Sequence, residues 1–138
     1  MKRSPLLLQL SREHHVALKL ARRAQAAQEA SVQQQLMRDL VAHWNNELLP
    51  HFAEEERLLP PQLDGSGKQA LSAQLLSEHA QLRDLAARIL GGETAALEPF
   101  GRLLAAHVRF EERILFPCCE ALVSAKVTQK SWPNTLIN

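Results

Sequence analysis

One string of residue types occurs twice in this chain and restricts its fold more than any other feature. Residues 51–59 are HFAEEERLL and residues 107–115 are HVRFEERIL, so each string has a histidine, a glutamate four positions later, a second glutamate and an arginine. A proline follows each string within two residues. On an α-helix, side chains four positions apart lie on one face, about one turn apart. Each string therefore predicts a helix that offers an imidazole and a carboxylate to the same point.

A shorter repeat occurs in the two other segments with helical periodicity. Glu13-His14 and Glu78-His79 each place a histidine directly after a glutamate and four positions after a leucine. The spacing of apolar residues puts His14 and His79 on the core-facing sides of their helices. A buried imidazole without a partner is costly. We therefore expect both histidines to meet the imidazoles and carboxylates of the longer strings.

Capping residues, apolar periodicity and turn formers predict four helices. The first has Ser4 as its cap and Pro5 in its first turn. The first helix is expected to run from Ser4 to about Gln28, and the second from a capping box at Ser31 and Gln34 to a stop at Pro60 and Pro61. The third is expected from about Lys68 to Leu90, where Gly91 and Gly92 end it. The fourth is expected to begin between Thr94 and Pro99 and to reach about Val123. Pro50 and Pro117 fall inside two of these helices and predict kinks.

The connections between these helices are short, and residues 60–67, which are rich in turn formers, are interpreted as a loop between two helical hairpins. No segment has the pattern of a strand. Short connections favour antiparallel neighbours. The sequence thus predicts an all-α, up-down-up-down antiparallel four-helix bundle over residues 1–123, followed by a loosely ordered tail, residues 124–138.

Composition excludes several classes of partner. Sixteen basic and fifteen acidic residues give a net charge of +1, so no basic surface for nucleic acid or an anionic membrane is expected. The apolar patch near the N-terminus is too short for a signal peptide or a membrane span. Cys118 and Cys119 are the only cysteines and are adjacent, so no disulfide framework is expected. We expect a cytoplasmic protein, and the sequence leaves its oligomeric state open.

Folded antiparallel, the two halves of the chain bring four imidazoles and two carboxylates together around a pseudo-two-fold axis. The candidate metal ligands are His14, His51, Glu55, His79, His107 and Glu111. Imidazole and carboxylate without thiolate suit iron or manganese better than structural zinc. Two octahedral ions have about twelve coordination positions, and these ligands with an oxo or hydroxo bridge would leave about one position open per ion. A small molecule could bind there.

Three further residues are possible members of the centre. His15 is an alternative to His14, although it shares a stripe with polar residues and is expected outside the core. His43 and Glu47 have the same four-residue spacing as the long strings but lack the rest of the string, so we interpret them as a chance match. Glu47 nevertheless precedes His51 by one turn and could orient it or serve as an additional ligand.

The residues beside the candidate ligands admit ordinary structural explanations. Those that follow the two ligand glutamates, Glu56 with Arg57 and Glu112 with Arg113, are interpreted as surface ion pairs rather than partners of the ligands. Cys118 and Cys119 are interpreted as packing thiols, with redox sensing as the alternative.

Together these segments resemble the hemerythrin-like, or HHE cation-binding, family over about residues 5–120. The resemblance lies in Glu13-His14, residues 51–60, Glu78-His79 and residues 107–117. It implies a non-haem di-iron centre with Glu55 and Glu111 as bridges and the four histidines as terminal ligands. Members of the family bind dioxygen reversibly, sense oxygen, iron or redox state, or handle nitric oxide and peroxide.

The third helix departs from the pattern of oxygen-carrying hemerythrins, which have two histidines four positions apart there. The residues at that spacing from His79 are Leu75 and Arg83, so a fifth imidazole is missing unless His15 or His43 supplies it. This disfavours simple oxygen transport. We expect a di-iron protein that binds or reacts with dioxygen, nitric oxide or peroxide in sensing, storage or detoxification. A peroxidase or oxidase, and an interaction module with a structural metal, are the alternatives.

Overall fold

The computed structural model describes residues 4–125, and no strand occurs in this range. It contains four long helices: α1 (Pro5–Ala26), α2 (residues 30–64), α3 (Gln69–Leu90) and α4 (residues 97–125), the last preceded by a 3₁₀ turn at Thr94–Ala96. None of the helices in the described part is both long and apolar enough to cross a bilayer. The predicted all-α four-helix bundle is confirmed. Residues 126–138, which make up most of the expected tail, lie outside the described residues.

The start of α1 is fixed by contacts that its sequence predicts. The Ser4 hydroxyl accepts a hydrogen bond from the Leu7 amide at 3.4 Å, and Pro5 lies at the first helical position. The Ser4 amide donates to the buried carboxylate of Glu120 on α4. The beginning of α1 therefore lies against the end of α4, as antiparallel packing requires.

Helices α2 and α4 each contain a wide, π-helical turn that ends two residues before a proline. In α2 the turn is Trp44–Leu48, and the Leu49 amide donates to the Trp44 carbonyl; Pro50 follows. In α4 it is Glu111–Leu115, and Pro117 follows Phe116. Proline cannot donate to the helix, and its ring conflicts with the carbonyl four residues earlier. A wider turn relieves that conflict. The π turns therefore lie next to Pro50 and Pro117, where the sequence predicts kinks.

The predicted end of α2 at Pro60 and Pro61 is wrong, because the helix continues to Asp64. One more turn brings Leu63 into the core, where it is fully buried. The φ of proline suits a helix, but each interior proline costs a backbone hydrogen bond and crowds the carbonyl four residues earlier, so burial of Leu63 has to offset that cost. The connection to α3 is therefore shorter than predicted, residues 65–68, and the Lys68 amide closes it by donating to the Leu63 carbonyl at 2.8 Å.

The predicted capping box at Ser31 is also wrong. Helix α1 ends at Ala26 and α2 begins at Ala30, with Glu29 in the capping position and no side chain capping the helix. Instead, the Gln33 side chain donates to the Ala27 carbonyl at 3.1 Å and spans the short connection. The connection between these helices therefore depends on a side chain that reaches backward along the sequence.

Two apolar clusters fill the bundle, and the buried histidines lie between them. One cluster includes Trp44, Phe52 and Phe100, and the other includes Phe110 and Phe116. The Phe52 ring packs on His79 and His107, whereas Phe110 packs on His107 and Phe116 on His14. A polar centre therefore lies at the middle of the bundle, enclosed by apolar layers toward each end.

Helices α1 and α4 approach closely at Gly101. A Cβ atom at this position would lie 2.5 Å from the Ala21 carbonyl oxygen and 2.9 Å from the Ala24 Cβ. Side chains this small are what allow two helix backbones to come so near. The approach matters for the centre, because α1 carries His14 and α4 carries His107 and Glu111.

We expect Gly101→Ala to lower the free energy of unfolding by about 1–3 kcal/mol, because the added methyl group overpacks the contact between α1 and α4. Helix propensity alone predicts the opposite sign, a gain of about 1 kcal/mol for alanine in place of glycine. Denaturant unfolding, monitored by the circular dichroism of the helices, shows whether the free energy of unfolding falls or rises. A variant as stable as the parent protein would contradict the close approach.

Candidate metal centre

All six predicted ligands lie in one buried cluster at the middle of the bundle. The cluster contains two overlapping groups of four residues. Each residue of a group offers one ligand atom, and the four ligand atoms of the group all lie within 4.8 Å of one another. The first group is His14, His51, Glu55 and Glu111, and the second is Glu55, His79, His107 and Glu111. The groups share both carboxylates. The cluster thus has the form of two adjacent cation sites with two histidines each and two carboxylates in common.

The imidazoles approach the shared carboxylates through their Nε2 atoms. The His14 Nε2 lies 2.7 Å from Glu111, and the His107 Nε2 lies 3.2 Å from it. On the other side, the Nε2 atoms of His51 and His79 each lie 3.0 Å from Glu55. Both glutamates are fully buried. Each carboxylate therefore faces one histidine from each of the two groups.

The outer nitrogen of each of the four clustered histidines is held by a second carboxylate from another helix. His14 Nδ1 lies 2.7 Å from Glu112, and the other three Nδ1 atoms lie 2.6 Å from their partners. The four pairs are His14 with Glu112, His51 with Glu13, His79 with Glu56, and His107 with Glu78. The interpretation of Glu56 and Glu112 as surface ion pairs is therefore wrong. The Glu56 carboxylate on α2 faces His79 on α3, and the Glu112 carboxylate on α4 faces His14 on α1.

These outer contacts determine which nitrogen can bind a cation. A carboxylate only accepts hydrogen bonds, so each Nδ1 carries the proton and donates it. Each Nε2 then faces the middle of the cluster, where loss of its proton frees a lone pair for a cation. A carboxylate on the far side of an imidazole fixes the orientation of the ring and makes it a better metal ligand.

The donor atoms of the cluster fit bound cations better than they fit one another. The Oε2 atoms of Glu55 and Glu111 and the Nε2 atom of His107 are buried and make no well-aligned hydrogen bond with the described residues, although imidazole nitrogens lie 3.0 and 3.2 Å from the two oxygens. Buried polar atoms normally have partners. A pair of cations between these residues would satisfy all three atoms.

The charges within the cluster favour bound positive charge. Burial disfavours a charged His51, but the carboxylates around it, Glu55 foremost, raise its pKa to about 12. Burial opposes charge on His107 as well, but the Glu111 carboxylate raises the pKa of His107 to about 10. Burial would raise the pKa of Glu111, yet neighbouring His107 holds it well below its usual range. A buried cation site requires this kind of environment.

The other candidate residues lie outside the cluster. His15 is exposed on α1, so His14 and not its neighbour faces the centre. His43 and Glu47 line a cavity of about 300 Å³ whose wall also includes Glu13 and His51. Neither belongs to the two groups of four. The fifth imidazole found in oxygen carriers is therefore not supplied by His15 or His43 in the described structure.

The two cysteines are free thiols near the end of α4. Cys119 is fully buried and belongs to the apolar cluster that includes Phe116. Burial raises the pKa of its thiol to about 12, which keeps it protonated and unreactive at neutral pH. These observations favour the interpretation of Cys119 as a packing residue.

Sequence reasoning missed the outer carboxylates, although the repeats contain a signal for them. Each of the four stands directly beside a candidate ligand: Glu13 and Glu78 precede His14 and His79, and Glu56 and Glu112 follow Glu55 and Glu111. Neighbouring residues on a helix point about 100° apart, so the second residue of each pair can reach the adjacent helix. Recurrence of these pairs in both halves could have identified them.

Binding of Co²⁺ to the metal-free protein at pH 7 should release at least two protons, since His51 and His107, with pKa values of about 12 and 10, are protonated there and must lose a proton to coordinate. The pKa of His14 is raised as well, against the effect of burial, by Glu111 and Glu112. Affinity should therefore rise with pH. Calorimetric titration in two buffers of different ionisation enthalpy measures the release. Equal heats in both buffers would contradict it.

Replacing an outer carboxylate should weaken metal binding without unfolding the bundle. We expect Glu78→Ala to lower the affinity for Co²⁺ about 10- to 100-fold, because His107 loses the partner that orients it. Glu54→Ala is the matched control, since Glu54 pairs with Arg57 on the surface. Competition against a chelator measures both affinities. An affinity of Glu78→Ala equal to that of the control would exclude the orienting role.

Comparison with known proteins agrees with this geometry. The family model for the hemerythrin HHE cation binding domain matches residues 7–119. No curated protein and no solved structure matches the chain. The match covers all six clustered residues and all four outer carboxylates, and it implies cation binding. The chain belongs to the hemerythrin HHE cation-binding domain family.

Proposed function

We propose that this chain is a non-haem di-iron protein whose iron pair binds or reacts with a small molecule such as dioxygen, nitric oxide or peroxide. The observation that carries the proposal is the pair of four-residue groups with Glu55 and Glu111 in common. Two shared carboxylates suit two ions at neighbouring positions, and two histidines complete each set. Sensing, storage and detoxification are the biological roles we propose.

The choice of iron rests on the chemistry of the donor atoms. Each group has two imidazole nitrogens and two carboxylates, and neither group contains a thiolate. Such mixed nitrogen and oxygen sets suit iron or manganese, whereas structural zinc sites mostly contain cysteine. Bound iron would supply redox chemistry and a position for an external ligand. Manganese and zinc are the less favoured alternatives.

In this proposal the residues of the chain bind, orient and enclose the ions. Four Nε2 atoms and the carboxylates of Glu55 and Glu111 would hold the pair, and the four outer carboxylates keep the Nδ1 protons in place. Apolar residues toward both ends of the bundle, among them Phe52 and Phe116, exclude bulk water. A dry site of this kind protects a reactive metal pair from side reactions.

Of the two positions four residues from His79, where oxygen carriers would have a second histidine, Leu75 is apolar and Arg83 has a different role. Arg83, four residues after His79, donates to Glu56 at 2.9 and 3.2 Å instead of offering a ligand. With two histidines on each ion, we propose reaction with or sensing of a small molecule rather than oxygen transport. The free thiols at Cys118 and Cys119 are consistent with the proposed cytoplasmic location.

Metal analysis of the purified protein, combined with its visible spectrum before and after exposure to air, tests this proposal. We expect two irons per chain and a spectral change on oxidation. A protein without transition metal after iron-replete growth would overturn the proposal. Repeated turnover of hydrogen peroxide would favour a peroxidase over a binding protein, and a redox-inert metal whose removal unfolds the bundle would favour a structural role.

We expect Glu111→Ala to reduce iron content by at least half while the helical signal persists, because both proposed ions lose a shared carboxylate. Glu47→Ala is the matched control, since Glu47 has the same spacing from His43 as Glu111 has from His107 but lies outside the cluster. Iron should remain at the parental level in the control. Two irons per chain in Glu111→Ala would contradict the bridging role.

A further inference from the structure

One of the four histidines is held by a closed set of contacts, which we call the Arg83 clamp: Arg83, Glu56, His79 and Phe52. Glu56 accepts hydrogen bonds from His79 Nδ1 at 2.6 Å and from both terminal guanidinium nitrogens of Arg83. The Phe52 ring stacks on the His79 ring with 4.0 Å between centroids and 15° between planes. The Arg83 guanidinium carbon lies 5.9 Å from the Phe52 centroid. His79 is thus fixed at its edge and on its face.

The two halves of the chain differ at the positions that form this clamp. His14 corresponds to His79 in the pseudo-two-fold arrangement, and the residue four positions after His14 is Leu18 rather than arginine. His107 corresponds to His51, and the residue after it is Val108 rather than phenylalanine. The ligand residues therefore repeat in both halves, whereas an arginine four residues after the histidine occurs only in the His79 half. A ring stacks on the histidine in both halves, but Phe116 lies farther from His14, at 5.5 Å between centroids.

The guanidinium changes what Glu56 can do for His79. A carboxylate that accepts from Nδ1 makes an imidazole a stronger electron donor to a metal. Arg83 binds both oxygens of the same carboxylate and draws negative charge toward itself. Glu56 is then a weaker acceptor for His79, and His79 is a weaker donor.

The charge of Arg83 acts in the same direction. A fixed positive charge near a metal favours the oxidation state with the lower charge. The Arg83 side chain is 39% exposed, so solvent screens part of this effect. The hydrogen bonds to Glu56 are direct and are less affected by screening. Both effects favour ferrous over ferric iron beside His79.

We propose that Arg83 is a positioning residue that raises the reduction potential of the iron held by His79 and His107. Arg83 acts directly on one of the two iron positions. The inference rests on the proposed di-iron function and adds to it a residue that adjusts the potential of the iron beside His79.

Redox titration of the iron-loaded protein, followed by visible spectroscopy, tests this inference. We expect Arg83→Gln to shift one of the two reduction steps to lower potential and to move the other less. Arg83→Lys keeps the charge but loses the two-pronged hydrogen bonding, so its potential should lie between those of the parent protein and Arg83→Gln. Arg57→Gln is the control, because Arg57 is an exposed arginine paired with Glu54, and no bond to a histidine is found for it in the described part of the chain.

The inference is overturned if Arg83→Gln and Arg57→Gln have the same potentials, or if Arg83→Lys lies no higher than Arg83→Gln. It is also overturned if Arg83→Gln folds but no longer retains two irons, since Arg83 would then serve structure rather than potential. Failure of the proposed function is recognised separately, in the parent protein. A parent chain that does not hold two irons removes the di-iron proposal itself, before any variant is compared.

Discussion

The need to balance the charge of two buried carboxylates governs this structure. Glu55 and Glu111 are fully removed from solvent and lie near one another at the centre of the bundle. An isolated buried carboxylate would cost several kcal/mol. Imidazoles surround both side chains and supply positive charge, either as bound protons or as ligands that position cations. The fold and its capacity to bind cations therefore have a common electrostatic origin.

The architecture meets this need by using adjacent residues for different tasks. In each Glu-His pair of α1 and α3 the histidine faces the centre, while the glutamate reaches a histidine on the next helix. In each Glu-Glu pair of α2 and α4 the first carboxylate faces the centre and the second holds a histidine of α1 or α3. Every helix thus contributes to both layers of the centre. This arrangement also ties the four helices to one another by buried polar contacts.

The sequence predicts the inner layer well, for a definite physical reason. The four-residue spacing in residues 51–59 and 107–115 corresponds to one turn of helix, so a local pattern contains the geometry. The outer layer depends on which crevice a neighbouring residue faces, and that is decided by packing between helices. For this reason Glu56 and Glu112 could not be distinguished from surface residues by helical phase alone. The extension of α2 through Pro60 and Pro61 has a similar cause, since burial of Leu63 outweighs a local signal to stop.

The two π turns have a consequence for how the long helices can vary. Each inserts an extra residue into one turn, so the face that is buried before the turn need not continue in phase beyond it. In α2, Trp44 packs in one apolar cluster while His51 and Glu55, just past the turn, face the polar centre. A single helix can then face an apolar cluster with its first part and the polar centre with its second part, although the two lie in different directions around the helix axis. Substitutions that repack the first part of α2 need not rotate the chelating part, so the hydrophobic end of this helix can diverge in evolution without disturbing its ligands.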